Sequence, residues 1–149
     1  MQKTRTTQVS WLSDVEEHDY PAAQSYLRII YPDEMAAALV EKLRDTGITE
    51  FKAKDIFRAS QLSLLGVSNS HVMKNNAKIA DGTPLSPLLL VRDVTHGKVV
   101  IADGYHRMCA VYGNDEDALI SCKIIWRRVD SRSLRFSPVP CVVKCDLVC

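Results

Sequence analysis

The segment that most constrains the fold of this chain is residues 101–107, with the sequence IADGYHR. A short apolar run leads into it, and residues 108–113 follow with the pattern of a helix that ends at Gly113. A strand, a glycine turn and a helix are therefore expected in succession. The first amide N–H groups of a helix have no partner within the helix, and that end is electropositive. With His106 and Arg107 beside these groups, the segment predicts an anion-binding site.

Apolar runs on both sides of this turn predict a small sheet. Residues 88–91 and 99–101 have the pattern of two strands joined in a hairpin, and residues 119–126 have that of another strand. A connection from the second hairpin strand through the helix to the last strand would form a βαβ crossover. Such a crossover would put Gly104 at the carboxyl end of a strand, where ligands bind in open sheets.

Helix patterns occupy much of the rest of the chain. Residues 11–15 suit a short helix, and residues 33–44 carry an apolar stripe that Gly47 would end. A further helix is expected over residues 71–79, with Ser68 or Asn69 as its N-cap and Gly82 as its end. The order of elements indicates an α+β domain with a small mixed sheet.

The expected organisation is a single domain over residues 1–149. Residues 1–47 form a helical N-terminal region, residues 48–128 form the core, and residues 129–149 form an irregular tail. A chain of this length can bury a sizeable hydrophobic core.

Composition narrows the range of functions. The formal net charge is +1, so no broad electrostatic footprint for DNA or a membrane surface is expected. No apolar run approaches the roughly 20 residues of a membrane helix, and the first seven residues lack the apolar core of a signal peptide. The expected localisation is cytoplasmic. The five cysteines, an odd number without a secretory signal, argue against a disulfide framework.

The segment from about His71 to Trp126 resembles the ParB/sulfiredoxin superfamily. The similarity rests on a helix, the sequence PLLLVR, a hairpin, the turn DGYHR at residues 103–107, a second helix and a closing apolar strand. The turn is most similar in form to the Asp-Gly-His-His-Arg turn of free-serine kinases. The resemblance implies a small mixed sheet flanked by helices, here with an N-terminal helical extension. It also implies ATP or CTP as the ligand, with Mg²⁺ as its companion ion.

Family members place nucleotide phosphates at this turn. For Asp103, three roles remain open: a Mg²⁺ ligand, a group that orients the neighbouring imidazole, or a general base. Asp also favours turns beside glycine without any such role. Tyr105 stands where sulfiredoxins have their nucleophilic cysteine, so repair of sulfinic acids is not expected. The implied catalytic residues are Asp103 and His106, and the implied phosphate contacts are Gly104, Tyr105, His106 and Arg107. For Tyr105 two alternatives stay open: stacking on a base, or packing as part of the core, as is common for an aromatic residue at a helix start.

In sulfiredoxins the helix before the hairpin also contacts phosphate. The matching positions here are His71, Lys74 and Lys78, whose i, i+3, i+7 spacing places them on one face of a helix. The resemblance therefore implies a phosphate pocket made from two helix starts. The plain alternative for the two lysines is a solvated helix face.

The expected function is nucleotide binding coupled to small-molecule phosphotransfer or to nucleotide hydrolysis, with the second substrate left open. The alternative is a non-catalytic module that associates with nucleic acid or protein, for which the contacts would be Arg127, Arg128, Arg132 and Arg135.

Two further clusters are not expected to bind metal. Residues 16–19, with the sequence EEHD, are adjacent and cannot all face one point on a helix, which favours a surface loop. Cys141, Cys145 and Cys149 recur every four residues, but no fourth zinc ligand accompanies them.

Overall fold

The computed structural model describes residues 7–66 and 68–127, which form a four-stranded mixed sheet between two layers of helices. The helices are α1 (Asp19–Ile30), α2 (Asp33–Asp45), α3 (Ala53–Ser60), α4 (Ser70–Asp81) and α5 (Tyr105–Asn114). The strands are β1 (Thr49–Lys52), β2 (Leu88–Asp93), β3 (Lys98–Asp103) and β4 (Leu119–Trp126). The α+β class and the N-terminal helical region are confirmed.

The sheet has the strand order β1-β4-β2-β3. The hairpin of β2 and β3 is confirmed, with a 3₁₀ turn at Val94–His96 and a left-handed Gly97. The predicted crossover from β3 to β4 is wrong. β2 lies between them, parallel to β4 and antiparallel to β3, so β3 and β4 run in opposite directions. Because β3 pairs back on β2, β4 takes the other edge of β2, and Gly104 still follows the carboxyl end of β3.

Side chains of the central strand β2 alternate between two cores. Leu89 and Val91 pack against α1 and α2, whereas Leu88 and Leu90 face the core shared with α3, α4 and α5. All four are buried, and full burial of such a side chain contributes about 1.5–3 kcal/mol. The N-terminal helices are thus one complete layer of the molecule.

Three local expectations are corrected. Residues 11–15 are not helical, because this segment bonds across to Leu85: the amide of Leu12 donates to its carbonyl at 2.9 Å. α2 ends at Asp45 and its C-cap is Thr46, which is extended, so Gly47 is not the cap. α5 continues through Gly113 to Asn114, because the helical hydrogen bond from Asp115 to Val111 is made.

The predicted boundaries of α4 are confirmed by its caps. The side chain of Asn69 accepts hydrogen bonds from the amides of His71 and Val72 at 3.0 and 3.3 Å. Gly82 ends the helix with a φ of 74°, a conformation that glycine adopts without strain.

Several residues for which the sequence suggests a role lie outside the described part of the chain. Among the residues that are described, no helix is both long and apolar enough to cross a membrane. The residues that lie outside are Cys141, Cys145, Cys149, Arg128, Arg132 and Arg135.

Candidate functional site

The turn between β3 and α5 requires glycine. Gly104 has a φ of 100°, in the left-handed region. A Cβ atom at this position would lie 2.7 Å from Cγ of Leu88 and 3.0 Å from Nη2 of Arg107. Asp103 and Tyr105 are thereby held at the end of the strand and the start of the helix. The predicted succession of strand, glycine turn and helix is confirmed.

The helices α4 and α5 begin side by side. The imidazole rings of His71 and His106 have centroids 4.7 Å apart, and residues at the ends of both helices, Ala80 and Asn114, line one cavity. The helices therefore run in the same direction, and both electropositive ends meet at the turn. Asn69 occupies the first amides of α4, whereas within residues 7–66 and 68–127 no side chain caps α5. The amides that point outward thus belong to α5.

The lysines of α4 lie farther from the turn. At 1.5 Å per residue, Lys74 is about 4.5 Å and Lys78 about 10 Å along the helix axis from His71. Both are exposed, and neither forms an ion pair with another described residue. His71, the first of the three positions on this face, contacts the turn through the ring of His106.

The guanidinium group of Arg107 is largely enclosed, with 16% of the side chain exposed. Its Nη2 donates to Asp103 at 2.8 Å and lies 3.3 Å from an oxygen of Asp19 in α1. Its Nε is buried and has no hydrogen-bond partner among the residues described. Arg107 thus ties the turn to the N-terminal layer, and its charge is already balanced by two carboxylates.

Asp19 is a residue of this site that the sequence alone does not indicate. Its side chain is 5% exposed and accepts a hydrogen bond from Ser86 at 2.5 Å, in addition to its contact with Arg107. An acidic residue in the first turn of a helix is common, because it complements the helix dipole. No local signal indicates a partner 88 residues away.

The predicted surface loop is confirmed for residues 16–18, which are exposed and precede α1, although three residues of the segment come close together. Ligand atoms of Glu16, His18 and Asp19 lie within 4.8 Å of one another. Glu16 and His18 precede α1 in a turn, so helical spacing does not separate their side chains. His18 is mostly exposed and lies 3.3 Å from Asp19 and 3.5 Å from Glu16.

Burial shifts the pKa values of the groups at the turn. It raises the pKa of the Asp103 carboxyl; the Arg107 charge opposes this rise, and the Asp19 charge adds to it. It lowers the pKa of the His106 imidazole, and the nearby charges of His71 and Arg107 lower it further. Asp103 is therefore a better proton acceptor near neutral pH than an exposed carboxylate.

The Tyr105 side chain has a structural role at the turn. Its hydroxyl donates a hydrogen bond to the backbone carbonyl of Ser63, in the loop between α3 and α4. Burial raises the pKa of this phenol, and the neighbouring Cys109 adds to the shift. The ring centroid of Tyr105 lies 5.6 Å from that of His106. Because its hydroxyl bonds to Ser63, Tyr105 connects the turn to this loop.

Arg127 is not a free surface cation. Its Nη1 lies 3.5 Å from the buried carboxylate of Asp93, and its guanidinium group lies 5.1 Å from the centroid of the Tyr31 ring. The part of the predicted basic cluster that the structure describes is thus paired.

Comparisons of the chain with protein-family models, with curated proteins and with solved structures give no match.

Proposed function

We propose that this protein binds the phosphates of a nucleotide, ATP or CTP, at residues 103–107, and that it is a small-molecule phosphotransferase or a nucleotide hydrolase. The observation that carries the proposal is the pairing of His71 with His106, 4.7 Å apart, where α4 and α5 begin together. Two helix dipoles and two imidazoles are thereby directed at one place, beside the half-buried glycine turn.

The phosphate donors in this proposal are backbone amides and imidazoles. The amides of Tyr105, His106 and Arg107 open a helix without a side-chain cap, so they can donate to phosphate oxygens. His106 and His71 each carry a ring N–H that can do the same. Arg107 holds the turn in shape and balances the carboxylates at 2.8 and 3.3 Å.

The donor chemistry also fits Mg²⁺, which prefers carboxylate oxygens. Asp19 supplies such an oxygen where it meets Arg107, and Asp103 is left as the proton acceptor. When bound with the nucleotide, Mg²⁺ would neutralise part of the phosphate charge.

Asp103 is the general base of the proposed reaction. It accepts the proton of an acceptor hydroxyl, or of water in a hydrolase, as the oxygen forms a bond to the γ-phosphorus. The bond from that phosphorus to the β,γ-bridging oxygen breaks, and the nucleoside diphosphate leaves. His106, whose pKa is lowered by burial, is neutral near pH 7 and donates one N–H to the transferring group.

Calorimetric titration with ATP, ADP and CTP in the presence of Mg²⁺ tests binding. We expect saturable binding to the wild-type chain and at least about tenfold weaker binding to His106→Asn, the loss of about 1.4 kcal/mol that one good contact represents. His96→Asn, in the hairpin turn at the other end of β3, is the matched control and should bind as the wild type does. Absence of binding at millimolar nucleotide would refute the proposal.

Release of nucleoside diphosphate tests the reaction. Asp103→Asn should still bind nucleotide but lose turnover, because the amide cannot accept the proton. Asp45→Asn, an exposed position at the end of α2, is the control for the same chemical change. Equal turnover in Asp103→Asn and the wild type would exclude Asp103 as the base.

A further inference from the structure

We infer that the cavity between α4 and α5 binds the heteroaromatic base of the same nucleotide, so that one ligand extends from the cavity to the turn. This inference rests on the proposed phosphate site. The cavity has a volume of about 300 Å³. That volume is at the lower end of the range for ligand pockets and suits a single aromatic group rather than a whole nucleotide.

The lining of the cavity favours a neutral, flat group. It includes the apolar side chains of Leu64, Leu65, Val72, Ile79, Cys109 and Ala110. None of the described residues that line it is charged. Phosphate groups would lose their hydration there without compensation, whereas an aromatic base would replace water at an apolar surface. The base of a nucleotide is thus expected to lie in the cavity and its phosphates at the turn.

The nearest lining residues of the cavity lie one helical turn from the phosphate site. Tyr105 and Cys109 share a face of α5 at i, i+4 spacing, as do His106 and Ala110, so the turn lies just beyond the cavity. One turn advances about 5.4 Å, a gap that a ribose can bridge. The two places are therefore close enough for one ligand.

Aromatic rings mark the boundary between the two places. The centroid of His106 lies 5.6 Å from that of Tyr105 and 4.7 Å from that of His71. Val72, which follows His71, lines the cavity itself. The described lining of the cavity contains none of these rings, so a base inside it would contact aliphatic surface.

Two amides supply polar contacts. Asn114 donates to the carbonyl of Thr7 at 2.7 Å, so its own side-chain oxygen remains able to accept a hydrogen bond. Asn76, half-buried, makes no side-chain hydrogen bond to another described residue. A side-chain amide presents a donor and an acceptor together, which is what the edge of a nucleobase requires.

The test compares ATP, CTP and inorganic triphosphate by calorimetry on the full chain. Triphosphate occupies the turn alone, so the wild type should bind at least one of the nucleotides about tenfold more tightly than triphosphate. Ala80→Leu, which fills the cavity rim, should reduce the affinity for that nucleotide to the value for triphosphate and leave triphosphate binding unchanged. Ala77→Leu, the same change on an exposed face of α4 outside the lining, is the matched control and should behave as the wild type.

Asn76→Leu provides a second variant at a half-exposed position, and it should also weaken nucleotide binding selectively. Equal affinities of the wild type for both nucleotides and triphosphate would overturn the inference and leave the phosphate site standing. Wild-type nucleotide affinity in both Ala80→Leu and Asn76→Leu would overturn it as well. If neither nucleotide nor triphosphate binds, both the proposed function and the proposed base site are refuted.

Discussion

The guanidinium group of Arg107 and the carboxylate of Asp19 lie 3.3 Å apart, although 88 residues of chain separate them. Both side chains are largely buried, and Asp19 also accepts a hydrogen bond from Ser86, just before β2. The contact therefore joins α1, the segment before β2 and the start of α5. It couples the N-terminal layer of the molecule to the glycine turn.

Removing the charge of Asp19 should destabilise the fold. Asp19→Asn leaves the enclosed guanidinium group of Arg107 with one carboxylate instead of two, and we expect a loss of about 1–3 kcal/mol in the free energy of unfolding. Asp33→Asn is the control, because Asp33 is 72% exposed and its ion pair with Arg28 should contribute only about 0–1 kcal/mol. Urea unfolding near pH 7 measures the free energy of unfolding of both variants. Equal losses would show that the buried ion pair contributes no more to stability than the exposed one.

The same substitution should change the titration of Asp103. The negative charge of Asp19 is one cause of the raised pKa of Asp103, so Asp19→Asn should lower that pKa. Because the folded-state pKa is raised, the contribution of Asp103 to stability is present below its unfolded pKa of about 3.8 and is lost as the pH rises through the folded-state value. Carboxyl NMR shifts against pH provide the measurement. An unchanged pKa of Asp103 would contradict the coupling.

Gly104→Ala should destabilise the turn, because the added methyl group meets Leu88 at 2.7 Å and the φ of 100° is unfavourable for alanine. We expect a cost of about 1–3 kcal/mol from the backbone strain alone. Gly113→Ala is the control. Its Cβ would meet nothing within 4 Å and it lies inside α5, so it should be neutral or stabilise by about 0.5–1 kcal/mol. Thermal unfolding should therefore show a lowered Tm for Gly104→Ala and an equal or raised Tm for Gly113→Ala.

Anion binding at the turn should strengthen as the pH falls. Burial lowers the pKa of His106 below about 6.5, so the ring is neutral at pH 7 and gains its proton only in more acidic solution. Sulfate keeps its charge over this range, and its affinity should rise as the pH decreases through the folded-state pKa of His106. NMR titrations with sulfate at several pH values give the affinities. His106→Gln should flatten the dependence, and a profile unaffected by this change would place the titrating group elsewhere.

Asp93 should stabilise the hairpin end of the sheet. Burial opposes its ionisation, but hydrogen bonds from His96 and Tyr31 outweigh burial and lower its pKa. The stabilisation is therefore present above the unfolded pKa of about 3.8 and lost as the pH falls through the folded-state value. Asp93→Asn also leaves Arg127 without its carboxylate and should cost about 1–3 kcal/mol near pH 7. The cost, measured by urea unfolding, should shrink below pH 3.8; a constant cost would argue against an ionic origin.

The sequence predicts correctly those elements that depend on residues close together in the chain. The β2–β3 hairpin, the ends of α4 at Asn69 and Gly82, and the turn at Gly104 each depend on neighbouring residues. The segment at residues 11–15 was predicted wrongly, because its hydrogen bonds go to Leu85 rather than to its own neighbours. Local propensity contains no information about such a partner.

The sequence by itself determined the glycine turn and the presence of Asp103, His106 and Arg107 around it, because backbone conformation at a turn is set by adjacent residues. Only the tertiary structure decided what these side chains contact. The order of the strands brings α4 alongside α5, so that His71 meets His106 and the cavity forms, and it places Asp19 against Arg107. These contacts depend on packing between distant segments, which local sequence does not specify.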